Sequence, residues 1–180
     1  MRVITGKARG VVLKTPDGMA TRPTADRVKE AMFNIIQFEI PAARVLDLFG
    51  GTGQLGIEAL SREAKSAVFV DEREEACKLI RENLKRTKLE QQGKVVRSDY
   101  MAYLRTCKDK FDIILLDPPY AEVFLENSLK MITEIDILQS GGIIVAERPV
   151  GKELPWDFPG FERSKDYKYG KTLITIYKKV

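Results

Sequence analysis

The sequence predicts an α/β protein with a mostly parallel sheet and helices on both faces. Three observations predict it. After Pro41 the hydrophobic period switches repeatedly between two and about 3.6. Five apolar strand candidates alternate with helical stretches, which demands crossover connections and hence parallel pairing. The end of the chain breaks that alternation: "FERSKDYKYG" followed by "KTLITIYKKV" reads as a hairpin turning at Gly170, so the last pair is antiparallel.

The elements follow in order. Residues 2–14, "RVITGKARGVVLK", are β-like, with Gly6 and Gly10 as turn signals, and "TPDG" at 15–18 is a turn. A helix from Thr24 carries Val28, Ala31, Met32, Ile35 and Ile36 at helical spacing and stops before Pro41. Residues 1–40 are thus expected to form an N-terminal basic extension, a β-hairpin and a helix, on a main domain of residues 41–180. Within that domain strands are expected at 43–49, 66–71, 94–99, 111–117 and 141–147. Helices are expected at 54–62, from Glu72 to about Leu89, from Tyr100 to Cys107 and near 122–135.

Composition narrows the chemistry. Of 180 residues, 44% are hydrophobic and 31% charged, as in globular domains. No apolar run approaches the roughly 18 residues of a membrane span, and "MRVITGKARG" has no long apolar signal-peptide core; a cytoplasmic protein is expected. Cys77 and Cys107 form no C-x-x-C pair and are read as reduced and structural. Histidine is absent, which excludes Ser-His-Asp and Cys-His chemistry and most zinc sites; no metal is expected. The charge is uneven. Residues 1–30 and 161–180 each carry +4, so the centre is negative, which suits a polyanion held beside the core.

The stretch "LDLFGGTGQLGIEAL" joins the first core strand to its helix. Gly51-x-Gly53-x-x-Gly56 permits a tight turn and close approach of backbone to a ligand. Asp71 ends the next strand, where an acid can accept both hydroxyls of a ribose. This pattern fits a dinucleotide and equally the adenosine of S-adenosylmethionine. Asp47, four residues before Gly51, would meet a positively charged group and oppose a pyrophosphate, which favours the second. Asp99 ends the third strand, placed to accept from an adenine amine or to cap the next helix.

The fourth strand runs into Asp117-Pro118-Pro119-Tyr120. Prolines cannot continue a central strand. Here they stiffen a turn that presents the Asp117 carboxylate, the Pro118 carbonyl and the Tyr120 ring. Two acceptors beside a ring suit an exocyclic amine on a planar base. Hydrogen bonds from both N–H groups orient the nitrogen and localise its lone pair toward an electrophilic methyl, while the ring stacks on the base.

At this point the chain resembles a known family. "DPPY" is similar to the motif of amino-group methyltransferases that use S-adenosylmethionine. "VITGKARGVVLKTP", "RPTADRVKEAMFNII" (22–36), "LDLFGGTGQLGIEALSR" (46–62) and "YGKTLITIY" (169–177) resemble the bacterial small-subunit ribosomal RNA guanine-N2 methyltransferases over nearly the whole chain. The resemblance implies a Rossmann-like methyltransferase fold whose mostly parallel, seven-stranded sheet ends in an antiparallel strand. It implies methyl transfer to the N2 amine of a guanine in small-subunit ribosomal RNA, free or assembled, by a monomer. Carried over by position, Phe49, Gly50, Gly51, Thr52 and Gly53 join Asp47 at the cofactor. Asp71 with Glu72 would hold its ribose side, and Asp99 with Tyr100 its adenine side. Asp117, Pro118 and Tyr120 would hold the guanine, with Pro119 beside them. Arg22, Thr24 and Arg27 would face the mouth of the site, and Arg9 and Lys14 would grip RNA phosphates. Three other readings remain open on the sequence: an adenine-N6 methyltransferase on DNA or RNA, a nicotinamide-dependent oxidoreductase, and an RNA-binding protein with a vestigial cofactor site.

Overall fold

The structure, a computed structural model, describes residues 1–18, 23–119, 122–154 and 157–180, without the side chains of Pro23, Thr24 and Glu122. Helix α1 (Pro23–Ile35) opens on a proline, whose missing N–H is harmless in a first turn. Strand β1 (Arg44–Asp47) leads through the glycine loop into α2 (Gln54–Ser61). Then come β2 (Ser66–Asp71), α3 (Glu74–Arg86), β3 (Gly93–Arg97), α4 (Tyr100–Thr106), β4 (Phe111–Leu116), α5 (Glu122–Glu134) and β5 (Leu138–Pro149). The chain closes with β6 (Phe161–Arg163), β7 (Tyr167–Tyr169) and β8 (Thr172–Lys179).

The sheet runs in the order β3-β2-β1-β4-β5-β8-β6, with β7 also on β8. The first five strands are parallel, and β8 is antiparallel to its neighbours. There are eight strands rather than the expected seven, because two short segments, β6 and β7, pair separately with β8. The chain moves outward from β1 to β3 on one side and then resumes with β4 on the other. The carboxyl ends of β1 and β4 therefore flank a topological switch point.

Residue parity decides which face each strand residue buries. Val45, Phe69, Ile113, Leu115, Ile143 and Val145 pack in one cluster with α1, α2 and α3. Leu46, Val70, Ile114, Leu116, Ile144 and Ala146 pack in a second cluster with α4 and α5. Helices thus cover both faces, as the alternating periods required.

The N-terminal segment brings its two arms together antiparallel but forms no regular strands. It forms turns and the isolated bridge Arg2↔Val12, with no strand of its own. Its backbone donors are shared between its own two arms and α2: Val3 N donates to Val11 O at 3.0 Å, Gly10 N to Val3 O at 2.9 Å and Leu13 N to Met1 O at 2.9 Å, and others reach α2. Ile4 N and Thr5 N donate to the Glu58 carboxylate at 2.9 and 3.1 Å, and Ala8 N donates to Ser61 Oγ at 3.0 Å. Glu58 is fully buried and also accepts from Arg62 Nε at 2.9 Å. Lys29 Nζ, 3.7 Å from Glu58, donates to the Arg2 carbonyl at 2.6 Å. Val3, Ala8 and Leu13 then join α1 in the first core cluster.

Candidate active site

The acids of the site come from sheet register. Asp47 pairs with Phe69 on β2 and Leu115 on β4. Asp71 and Asp117 follow those partners by two residues, on the same face and about 6.6 Å further along. Leu116 pairs with Ala146, so Glu147, next on β5, stands beside Asp117. Four carboxyls thus gather at the strand ends on the α1–α3 face of the sheet.

The glycine loop hangs over β1. Gly50 N donates to Val70 O at 2.8 Å, and Gly53 N to Gly50 O at 2.7 Å. Gly51 and Gly53 have φ of +57° and +82°, which L side chains rarely adopt. Gly56 serves a different purpose: a Cβ there would lie 2.3 Å from the Phe69 ring, so its absence lets α2 sit on β2. At Gly51 a Cβ would meet nothing nearer than 3.9 Å, so this backbone faces open space.

Asp47 is 1% exposed. Its Oδ2 accepts from Gly56 N at 3.1 Å, and its buried Oδ1 has no well-formed hydrogen bond among the described residues, the Phe49 N–H being its nearest pull. Burial pushes its pKa up to about 8, and the charges of Asp117 and Asp71 add to the rise against the pull of the Gly56 N–H. A buried oxygen without a well-formed hydrogen bond, beside an open glycine backbone, is the arrangement a cationic ligand would complete. Asp71 accepts from Gly51 N at 3.0 Å and from Arg73 N and Nε at 2.9 and 3.1 Å. It therefore braces the loop as well as standing at the ribose position, and the exposed Arg73 would swing aside for hydroxyls. Thr52 O accepts from Asn83 Nδ2 at 2.9 Å, fixing the loop to α3. Glu72 is exposed.

On the opposite face Phe49, Tyr100 and Phe124 form a ring cluster with centroids 5.2–6.3 Å apart. Asp99 lies next to it and caps α4, accepting from Ala102 N at 3.0 Å. The adenine side of the expected cofactor site is thus an apolar aromatic wall with one carboxylate, already engaged as a cap. Phe124 was not among the residues expected from sequence.

A cavity of about 870 Å³ opens at the switch point. Asp117, Pro118 and Pro119 form one wall, Ala25 and Lys29 of α1 and Gln54 of α2 another, and Glu147 with the loop after β5 a third. Gln54 Oε1 is also buried without a partner among the described residues. Asp117 and Glu147 accept no hydrogen bond among the described residues. Burial holds both carboxyls well above the usual range, and Asp117 raises Glu147 further. Lys152 and Lys171 stand at the same cavity.

The expected RNA-contacting residues divide. Arg9 and Arg27 are exposed. Lys14 is half-exposed and ion-paired with Glu82 at the surface. Arg27 stands on the outer side of α1, whereas Ala25 and Lys29 line the cavity. Arg22, the Thr24 side chain and Tyr120 lie outside the described residues. Cys77 and Cys107 are free thiols. Glu147 is the residue the sequence reading passed over, although an acid ending an apolar strand next to "DPPY" is the same signal that marked Asp71 and Asp117.

A doubly wound sheet, finished by an antiparallel strand and opening its switch point onto a glycine loop and a proline-flanked carboxylate, places the molecule among methyltransferase-fold proteins. The chain belongs to the family described as Conserved hypothetical protein 95, whose model matches residues 1–178. It is 41% identical over 182 residues to the putative rRNA methyltransferase YlbH of Bacillus subtilis (strain 168), covering 99% of each chain. It is 31% identical over 179 residues to the ribosomal RNA small subunit methyltransferase D of Escherichia coli (strain K12), covering 99% of this chain and 90% of that one. A solved structure described as putative methyltransferase yhhF from Escherichia coli superposes with a TM-score of 0.89 at 29% identity, covering 99% and 97% of the two chains. The stretches at 22–36 and 46–62 therefore pointed to the right family.

Proposed function

We propose that the chain transfers a methyl group from S-adenosylmethionine to the exocyclic N2 amine of a guanine in small-subunit ribosomal RNA. The observation that carries this reading is Asp117. Its carboxyl is half-buried and unpartnered among the described residues, and it opens into the cavity beside the glycine loop. The names of the relatives support ribosomal RNA as the substrate class.

The cofactor supplies an electrophilic methyl group. Asp71 would hold its ribose, the Phe49–Tyr100–Phe124 wall its adenine, and Asp47 its cationic portion. Glycine backbone at 50–53 leaves the space for it. Asp117 and the Pro118 carbonyl take the two amine hydrogens of the base, orienting N2 and sharpening its lone pair. Asp117, lifted by burial, can receive the proton the nitrogen sheds as it gains carbon. Tyr120 stacks the base, which must be unpaired or extruded because N2 lies on the Watson–Crick edge. Residues 1–40 act as a basic RNA-facing extension, with Lys152 and Lys171 adding charge at the mouth.

The test is methyl transfer from labelled cofactor to unmodified small subunits, free ribosomal RNA and duplex DNA, with the modified nucleoside identified by mass spectrometry. N2-methylguanosine from the ribosomal substrates is expected, and Asp117→Ala should abolish it while leaving cofactor affinity near normal. N6-methyladenosine would overturn the choice of base, and loss of cofactor affinity in the variant would overturn the role given to Asp117.

A further inference from the structure

We infer that Glu147 selects guanine over adenine in this site, its carboxylate accepting the ring N1–H that neighbours N2; the inference rests on the guanine-N2 reading. Asp117 and Glu147 follow the paired residues Leu116 and Ala146 on adjacent parallel strands. Strand spacing puts their backbones about 4.8 Å apart. Their side chains share a face and line the same cavity. Two acceptors at that separation can meet neighbouring groups on one base edge.

Glu147 is half-buried, yet it has no hydrogen-bond or ion-pair partner among the described residues. Two of the cations that line the cavity are committed elsewhere. Lys29 is held by Glu58 and the Arg2 carbonyl. Arg148 binds Asp166 at 2.6 Å. The Glu147 carboxylate faces the cavity with no protein donor among the described residues, so a ligand that fills the cavity and displaces its water must supply the donor. The other charged groups around it are Glu126 from α5, Lys152 and Glu153 from the loop after β5, and Lys171 before β8.

Guanine presents three adjacent donor hydrogens, one on N1 and two on N2. Asp117 and the Pro118 carbonyl account for two, and Glu147 for the third. Adenine offers an amine beside an N1 lone pair, which would face the Glu147 carboxylate and repel it. A site built around a donor strongly rejects the analogue that lacks it. Burial holds each carboxyl up, and Asp117 raises Glu147 further; the donor hydrogens of guanine favour the ionised form, whereas only a protonated Glu147 could donate to adenine N1.

The experiment compares wild type, Glu147→Gln and Glu147→Ala on unmodified small subunits. It reads nucleoside products by mass spectrometry, cofactor affinity by calorimetry, and kcat/KM for the ribosomal substrate against pH. The wild type should yield N2-methylguanosine. Glu147→Ala should lose about 30-fold in kcat/KM with cofactor Kd within about twofold, and its ratio of N6-methyladenosine to N2-methylguanosine should rise. The isosteric Glu147→Gln, which keeps a neutral acceptor, should lose about tenfold, and the rising limb of its pH profile should move to lower pH. A wild-type product other than N2-methylguanosine overturns the guanine reading itself. N2-methylguanosine from the wild type, with unchanged kcat/KM, product ratio and pH profile in a folded Glu147→Gln, overturns the Glu147 assignment alone.

Discussion

Replacing Asp47 by Asn removes a single ionisable proton from the centre of the sheet while keeping the side chain's shape. The Asn oxygen can still accept from Gly56 N, so the loop's anchor survives. What changes is the response to pH. In the folded chain the Asp47 proton leaves near pH 8, because the carboxyl is buried and faces Asp117 and Asp71. In the unfolded chain it leaves near pH 4. The folded state therefore holds the proton more tightly. This group's contribution to stability is fully present below about pH 4 and is lost as pH rises toward 8. The loss approaches 1.4 kcal/mol per pH unit, or roughly 5 kcal/mol across the window and roughly 4 by pH 7. Asn carries no such penalty. Asp47→Asn should match the wild type near pH 4.5 and exceed it by about 2–4 kcal/mol at pH 7, allowing for relaxation around the wild-type charge. Urea titrations of both proteins at pH 4.5, 7 and 8.5 measure the gap. Cofactor affinity should move the other way, by about 10–100-fold, because a cation loses its carboxylate. Calorimetry in two buffers should show proton release on cofactor binding to the wild type and none to the variant. Parallel stability curves, or a variant less stable than the wild type at pH 8.5, would refute the assignment of a strained, proton-holding Asp47.

Gly56→Ala places a Cβ 2.3 Å from a fully buried Phe69 ring and should destabilise the fold by about 1–3 kcal/mol in urea unfolding; Phe69→Leu should recover part of the loss, and no loss at all would mean α2 can lift off the sheet freely. Asp71→Ala removes both the ribose acceptor and the brace on Gly51 N, so cofactor Kd measured by calorimetry should rise at least tenfold; unchanged affinity would remove the ribose assignment. Arg9→Glu should raise KM for the ribosomal substrate and flatten its salt dependence. Lys14→Glu should instead lower stability, because it sets a like charge beside Glu82; equal effects of the two on KM would mark Lys14 as a phosphate contact.

Much of the site was legible because strand ends carry it. The run "SAVFVD" became β2 with the predicted limits, and the acids at 47, 71, 99 and 117 all stand at carboxyl ends of the parallel strands. Local rules suffice for such positions, since strand length and parity set the face. The docking of the N-terminal segment was not legible for the opposite reason. Residues 2–14 do fold back on themselves, but the Ile4 and Thr5 amides pair with Glu58, more than fifty residues away, and no local pattern announces that. The strand count missed by one because the stretch at 161–169 breaks at Ser164 and Lys165 into two pieces on one partner. The sequence also does not show which cations are paired: Lys14, expected to grip phosphate, forms a surface ion pair with Glu82. Glu147 escaped because "GGIIVAE" was read only as a core strand.

The docking of the first fourteen residues sets a timetable for synthesis. Ile4, Thr5 and Ala8 must find α2, and Lys14 N must find Asn83 Oδ1, 69 residues later in the chain. At about 5–20 residues per second, roughly 3–14 s separate the making of Lys14 from that of Asn83. Throughout that interval Val3, Ala8 and Leu13 wait without the helices they will pack against, so the segment made first cannot settle until nearly half of the chain has followed it.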